Sequence, residues 1–258
     1  MQIATWNVNS LNVRAPQVLA WLAANPVDVL CLQELKITDD KFPVQAFADA
    51  GYQAAFTGQK TYNGVALLSR TPITDVVLNN PMFEDEHRRL VTGTINGVRV
   101  ICAYFPNGQA PDSDKFQYKM RWLDGLSGWL GETVAQHPYT ALAGDFNIAP
   151  ADADVFDPVA WKDQIHCTPQ EREKLAALMN LGMVDTFRMF EQPPKLYSWW
   201  DYRQLAFRKN QGLRIDLVLA SKALAEKCKR AWIDKAPRKN EQPSDHAPVV
   251  AEFELPTA

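Results

Sequence analysis

Cysteine is scarce in this chain. Its 258 residues include four, at 31, 102, 167 and 228, and no two form a Cys-x-x-Cys pair. Neither a zinc site nor a disulfide framework is therefore expected, and Cys31 and Cys102, set in apolar runs, read as buried free thiols. No apolar run is long enough to cross a bilayer, and the opening residues, Met1 to Trp6, lack the basic-then-apolar order of a secretory signal. Repeats of solenoid period, low-complexity tracts and long linkers are missing as well. So is any excess of positive charge: the formal net charge is −3. Such a chain does not hold nucleic acid by bulk charge, so any contact of that kind must come from a local patch. What is present is a 47% share of hydrophobic residues, which excludes disorder as the main state. The length suits one large α/β domain as well as two small ones, and a single domain over residues 1–258 is the expectation.

Short β-type runs recur at 3–6, 27–32, 52–57, 65–69, 73–78, 90–95, 98–104, 140–143, 213–220 and 247–253. Helical spacing lies between them. Residues 14–25 place Val18, Leu19 and Leu22 on one side, and residues 114–136 carry Phe116, Met120, Leu123, Leu130 and Val134. Thr168-Pro169-Gln170-Glu171 is a capping box with proline at the first helical position, and Gly182 closes the helix it opens. Strands that alternate with helices argue α/β. The adjacent strands of 52–104 add hairpins, so a mixed sheet, or two packed sheets covered by helices, fits best.

Four polar clusters stand at expected strand ends: Asn7 with Asn9, Glu34, Asp145 with Asn147, and Asp245 with His246. Asp216 lies inside an apolar run, where a carboxylate is costly without a partner, and Arg214 is near enough in sequence to be one. Any single Asn or Asp after a strand is more often a cap or turn residue. Five such features on one α/β chain are harder to explain that way. Oxygen ligands without thiolates select a hard cation, Mg²⁺ or Mn²⁺, and Glu34 with Asp245 would suffice beside Asn7, Asn9 or Asp145. Such sites act mostly on phosphate esters. The side chains of Asn7, Asn147, Tyr104 and His246 could donate to the same oxygens. Asp216 could fix the tautomer of His246. The other histidines, 87, 137 and 166, read first as surface or loop residues.

The segments TWNVNSL (5–11), LCLQELK (30–36), YNGVALLSR (62–70), YFPNG (104–108), GDFNIAP (144–150), YSWWDYR (197–203), GLRIDLVLAS (212–221) and PSDHAPV (243–249) follow one another in order. In these the chain resembles the exonuclease III family of DNA-repair nucleases, within the endonuclease/exonuclease/phosphatase superfamily. The resemblance runs from residue 1 to about 254. It implies a four-layered α/β sandwich: two mixed sheets face to face, helices outside, and the active site at one edge. It implies that Glu34 is the principal Mg²⁺ ligand, supported by Asn7, Asn9 and Asp245. Asp145, Asn147 and His246 also border the metal. Asp145 would orient or deprotonate the attacking water, Asn147 would steady it, Tyr104 and His246 would lie against the scissile phosphate, and Asp216 would orient His246. Lys36, Tyr62 and Asn107 would line the DNA backbone, with Trp199, Leu213 and Ile215 forming the pocket for a base-less sugar. Whether Asp145 or His246 takes the proton stays open. The implied partner is double-stranded DNA with abasic sites, nicks or blocked 3′ ends, met by a monomer in a bacterial cytoplasm.

Between Arg203 and Lys239 there are eleven Lys or Arg and three Asp or Glu, with Tyr197, Trp199, Trp200, Tyr202 and Phe207 just before or among them. This stretch is the expected DNA patch; a solvated basic face over core aromatics is the plainer alternative. A superfamily phosphatase and an RNA-binding relative without catalysis are the competing readings. The YSWWDYR loop speaks against the first, and the full set of site residues against the second. One departure from the family pattern is His166, where a small residue is common, followed by Cys167 in place of an aromatic. An imidazole there would add bulk on the path of continuous DNA and favour 3′-end processing over internal incision. Alternatively, His166 lies outward or contacts a phosphate.

Overall fold

Ile3, Thr5 and Asn7 alternate with Ala4 and Trp6 along the first strand, and this two-residue period sorts side chains to opposite faces. In a computed structural model, which describes residues 1–255, Ile3 enters the core between two sheets, while Ala4 and Trp6 face covering helices. The chain runs β1 (Gln2–Asn7), α1 (Leu11–Ala24), β2 (Val29–Gln33), α2 (Val44–Asp49), β3 (Gln53–Thr57), β4 (Val65–Ser69) and β5 (Thr74–Leu78). Next come β6 (Leu90–Ile95), β7 (Val98–Tyr104), α3 (Asp114–Gln136), β8 (Thr140–Asp145), α4 (Pro169–Asn180) and β9 (Met183–Asp185). The remainder holds β10 (Trp199–Trp200), β11 (Gly212–Leu213), β12 (Asp216–Ser221), α5 (Lys222–Ala225), β13 (Cys228–Ile233) and β14 (Val249–Phe253).

Two six-stranded mixed sheets result, ordered β13-β14-β1-β2-β4-β3 and β5-β6-β7-β8-β12-β9. Each contains one parallel pair, β1 with β2 and β7 with β8, and is otherwise antiparallel. Val29, Cys31 and Leu67 of the first sheet meet Val100, Cys102 and Ala143 of the second. The opposite face of the first sheet packs under α1 and α2, and that of the second under α3 and α4. This is the four-layered sandwich expected. All four cysteines are free and buried. No helix among the described residues is long and apolar enough to cross a membrane.

The expected strand 213–220 is in fact two. Ser198 Oγ accepts from the amides of both Ile215 and Asp216, and two consecutive amides turned to one hydroxyl cannot continue a pleat. The break rules out Arg214 as the partner of Asp216, the alternative left open above. Arg214 turns inward to Asp154 (2.7 Å) and Asp185 (2.6 Å), leaving Asp216 to a different partner.

Candidate active site

The carboxyl ends of the two parallel pairs meet at one edge of the sandwich. Asn7 ends β1 opposite Gln33, so Glu34 stands one step beyond β2. Tyr104 ends β7 opposite Asp145, and Asp216 opens β12 opposite the same residue. A cavity of about 220 Å³ lies there, lined by Glu34, Tyr104, Asn107, Asp145, Asn147, His166, Trp199, Ile215, Asp245 and His246. The loops around it are strained. Asn9, Glu34, Lys36, Asn147 and His166 all have left-handed backbone (φ 45°, 53°, 55°, 49° and 75°). Asparagine tolerates that conformation, whereas for the others it stores strain of the kind found at functional sites.

Glu34, Asp145 and His246 place one ligand atom each within 4.8 Å of one another. The buried Asn7 holds the two carboxylates together: its Nδ2 donates to Asp145 Oδ2 (2.9 Å) and to Glu34 Oε2. Its Oδ1 accepts from the Asn9 amide (2.9 Å). Asn9 likewise spends its oxygen on Lys36 Nζ (2.7 Å) and its Nδ2 on Asp245 Oδ1 (3.3 Å). Both asparagines, expected as metal ligands, stand at the cluster and brace its carboxylates. Asp245 lines the cavity with Oδ2 held by the Trp199 indole (3.0 Å). Two converging carboxylates with few nitrogen donors fit a hard divalent cation.

His246 is the nitrogen donor of this group. Its Nδ1 donates to Asp216 Oδ2 (2.8 Å), and its Nε2 lies 3.7 Å from Asp145 Oδ2. Burial alone would lower the imidazole pKa, but Asp216, Asp145 and Asp245 outweigh it and raise the value to about 10. His246 thus stands among the groups that could hold a cation and beside the carboxylates that favour its protonated form. Burial pushes Asp145 up to about 7, against the pull of His246 and with Asp216 and Glu34 adding to it. Burial and the surrounding carboxylates hold the Tyr104 phenol well above its ordinary value, hence neutral and able to donate.

Asn147 is fixed from several directions. Its amide N–H goes to Asp145 Oδ1 (3.0 Å) and its Nδ2 to Phe105 O (2.9 Å). Its carbonyl accepts from His166 Nδ1 (2.7 Å), which defines the Nδ1–H tautomer, because a carbonyl only accepts. His166 is thus an inward, buried residue in the cavity wall, 5% exposed, between Trp161 and Trp199. The outward alternative is corrected. Burial, with Lys119 assisting, lowers its pKa to about 4 and keeps the ring neutral.

The expected DNA contacts divide. Tyr62 and Asn107 line an adjoining cavity of about 780 Å³ with Arg89, Lys115 and Tyr118, and Lys36 stands half-exposed beside Glu34. Trp199 and Ile215 reach the catalytic cavity, but Leu213 is fully buried behind them against Val155 and Cys167. Arg203 is paired with Asp201 (2.7 Å) outside the cavity. The basic stretch as one patch is corrected too. Arg214 is buried, while Lys229 and Arg230 pair with Glu254 and Glu252 at the end of the first sheet remote from Asn7. Sequence reasoning did not single out Ser198 or Lys119, and read Glu171 only as part of a capping box. Ser244 Oγ donates to Asn7 O (2.6 Å) and accepts from His246 N, linking two clusters. A lysine on the apolar face of α3 was the available signal for Lys119.

Residues 4–246 match the Endonuclease/Exonuclease/phosphatase family. The chain is 33% identical to exodeoxyribonuclease III of Haemophilus influenzae, over 98% of this chain and 100% of that protein. It is 31% identical to an exodeoxyribonuclease of Bacillus subtilis, over 96% and 98%. Among solved structures, it resembles the 3′ phosphatase NExo from Neisseria bound to a product DNA hairpin (TM-score 0.97, 47% identity, 99% and 100% covered). An AP endonuclease from Archaeoglobus fulgidus gives a TM-score of 0.94 at 37% identity, with 99% and 100% covered. The chain belongs to the endonuclease/exonuclease/phosphatase family, in its exonuclease III-like branch.

Proposed function

We propose that this protein is a Mg²⁺- or Mn²⁺-dependent DNA-repair phosphodiesterase of one domain. It acts on double-stranded DNA by water attack on a phosphodiester, and it favours blocked 3′ ends over internal abasic sites. The observation that carries the reading is the convergence of Glu34, Tyr104, Asp145, Asn147 and His246 on one cavity in a chain so similar to a 3′ phosphatase. Glu34 would hold the cation, beside Asp145. When bound, it supplies neutralisation of charge that grows on the phosphoryl oxygens. The remaining work belongs to the side chains. Asp145, with its raised pKa, accepts a proton from the attacking water. Asn147 orients that water. Tyr104 and His246 donate to the phosphoryl oxygens, and Asp216 holds the His246 ring in place. The preference for ends rests on His166, whose ring occupies the wall beside Trp199 and Ile215, where a flipped base-less sugar would need room.

The test is one incubation series. Labelled duplexes carrying a nick with a 3′-phosphate, or an internal abasic-site analogue, are given with Mg²⁺ or with EDTA. The 3′-phosphate should be removed with Mg²⁺ and retained with EDTA, and Glu34→Gln should lower both turnover and Mg²⁺ affinity. Activity that survives EDTA, or an unchanged Glu34→Gln protein, would refute the reading.

A further inference from the structure

The helix α3 is amphipathic, yet its buried face carries a lysine. Phe116, Lys119, Trp122, Leu123, Leu126 and Trp129 are all enclosed, and Lys119 is wholly so. A buried ammonium is costly unless every proton finds an acceptor. Here all three do. Lys119 Nζ lies 2.7 Å from the Asn147 carbonyl, 3.2 Å from the Asn107 carbonyl, and against Oε1 of the equally buried Glu171. Glu171 belongs to α4, where it completes the capping box with Thr168. Its Oε1 also accepts from the His166 amide (3.2 Å). One ion pair, built from two helices, therefore ties together the loops that deliver Asn107, Asn147 and His166 to the cavity.

The pair itself does not line the cavity. What it grips is the backbone behind the side chains that do. Asn147 has left-handed backbone (φ 49°), and its carbonyl is held by both Lys119 Nζ and His166 Nδ1 (2.7 Å each). For stability alone, an apolar pair of the same volume serves as well or better than buried ions. The donors of Lys119 are spent instead on the loops that carry the site.

We propose that Lys119 and Glu171 are positioning residues for the phosphodiesterase reaction: Lys119 anchors the carbonyls of Asn107 and Asn147, and so aims their side-chain amides at the scissile group. The inference rests on the nuclease reading above and extends it to residues outside the cavity.

The full-length protein is compared with Lys119→Met/Glu171→Gln, which leaves no lone buried charge, and with the conservative Lys119→Arg. Three measurements are made: melting temperature, kcat and KM on nicked duplex with a 3′-phosphate, and hydrogen exchange of residues 105–108, 146–149 and 165–168. The double variant should stay folded, lose roughly 10- to 100-fold in kcat as for other supporting contacts around a site, and exchange faster in those three segments alone. Lys119→Arg should recover part of the loss. A folded double variant with unchanged kcat and unchanged exchange overturns the proposal. If it does not fold, Glu171→Gln alone, which can still cap α4, replaces it under the same criteria. If the wild-type protein cleaves no DNA, the nuclease reading fails. Exchange then decides the anchoring by itself: faster exchange in the three segments supports it, and unchanged exchange overturns it.

Discussion

His166 occupies a backbone conformation that suits glycine, and its ring lines the cavity. His166→Gly should therefore raise incision at an abasic-site analogue while leaving 3′-phosphate removal little changed. If incision does not rise, or is already strong in the wild type, the imidazole is only a wall. The same ring affects stability. Its pKa is lowered from 6.5 to about 4 by burial, so the unfolded chain binds a proton that the folded one refuses. The contribution is fully present above pH 6.5 and is lost as pH falls toward 4, by about 3 kcal/mol in all. Denaturant midpoints at pH 7 and pH 5 should fall less in His166→Gly than in the wild type; an equal fall would remove His166 from the account. Asp216 and His246 share one buried hydrogen bond, so they work as a unit. The double variant Asp216→Asn/His246→Asn should be about as slow as the worse single one, and fully additive losses of kcat would show independent roles. Asp216 and His246 were legible in the sequence because a polar group at the end of, or inside, an apolar run is conspicuous, whereas His166 stood out only as a departure from the family pattern. Lys119 and Ser198 were not, because they act on backbone atoms of distant segments, and no local pattern records a carbonyl 28 residues away.

Among the elements, α4 was the most legible, since its start is written in four residues. Thr168 Oγ1 accepts from the Glu171 amide (3.1 Å) and donates to Glu171 Oε2 (2.8 Å), and Pro169 stands at the first turn. Thr168→Ala should cost about 1–2 kcal/mol, read as a lower denaturant midpoint with an unchanged slope. A loss within error would mean that water replaces the hydroxyl. The long helix α3 and the strands β4, β6 and β7 matched their expected bounds, because apolar content and turn residues agree there. Other elements resisted. The helix α1 begins at Leu11, not at residue 14, which leaves Pro16 in its interior: burial of Leu11 outweighs the proline signal. The edge strand β13 reads CKRAWI, with charged residues that pair to β14, and so lacked an apolar run. The division of 213–220 between β11 and β12 depends on Ser198, fifteen or more residues earlier, and is invisible locally.

For the whole molecule the problem is how a chain of net charge −3 holds a polyanion. Sequence counting placed the answer in the basic stretch 203–239, but the fold disperses it. Arg203, Arg214, Lys229 and Arg230 each have a carboxylate partner, and the last two sit at the far end of the first sheet. Exposed pairs of that kind project little field beyond a Debye length. Cations beside the cavities also come from other parts of the chain. Lys36 lies beside Glu34, and Arg89 and Lys115 line the adjoining cavity with Tyr62 and Asn107. Burial of two facing sheets brings these together from three separate segments, which is why composition along the chain did not reveal them. Binding should then depend on few phosphate contacts, each contributing about 0.9 to the slope of log K against log salt. Lys115→Ala should weaken binding to duplexes of any sequence and lower that slope by about 0.9. Lys229→Ala/Arg230→Ala should leave both affinity and slope unchanged. The opposite pattern, with the slope lost in the second variant and kept in the first, would put the DNA on the β13 edge and detach the binding face from the catalytic cavity.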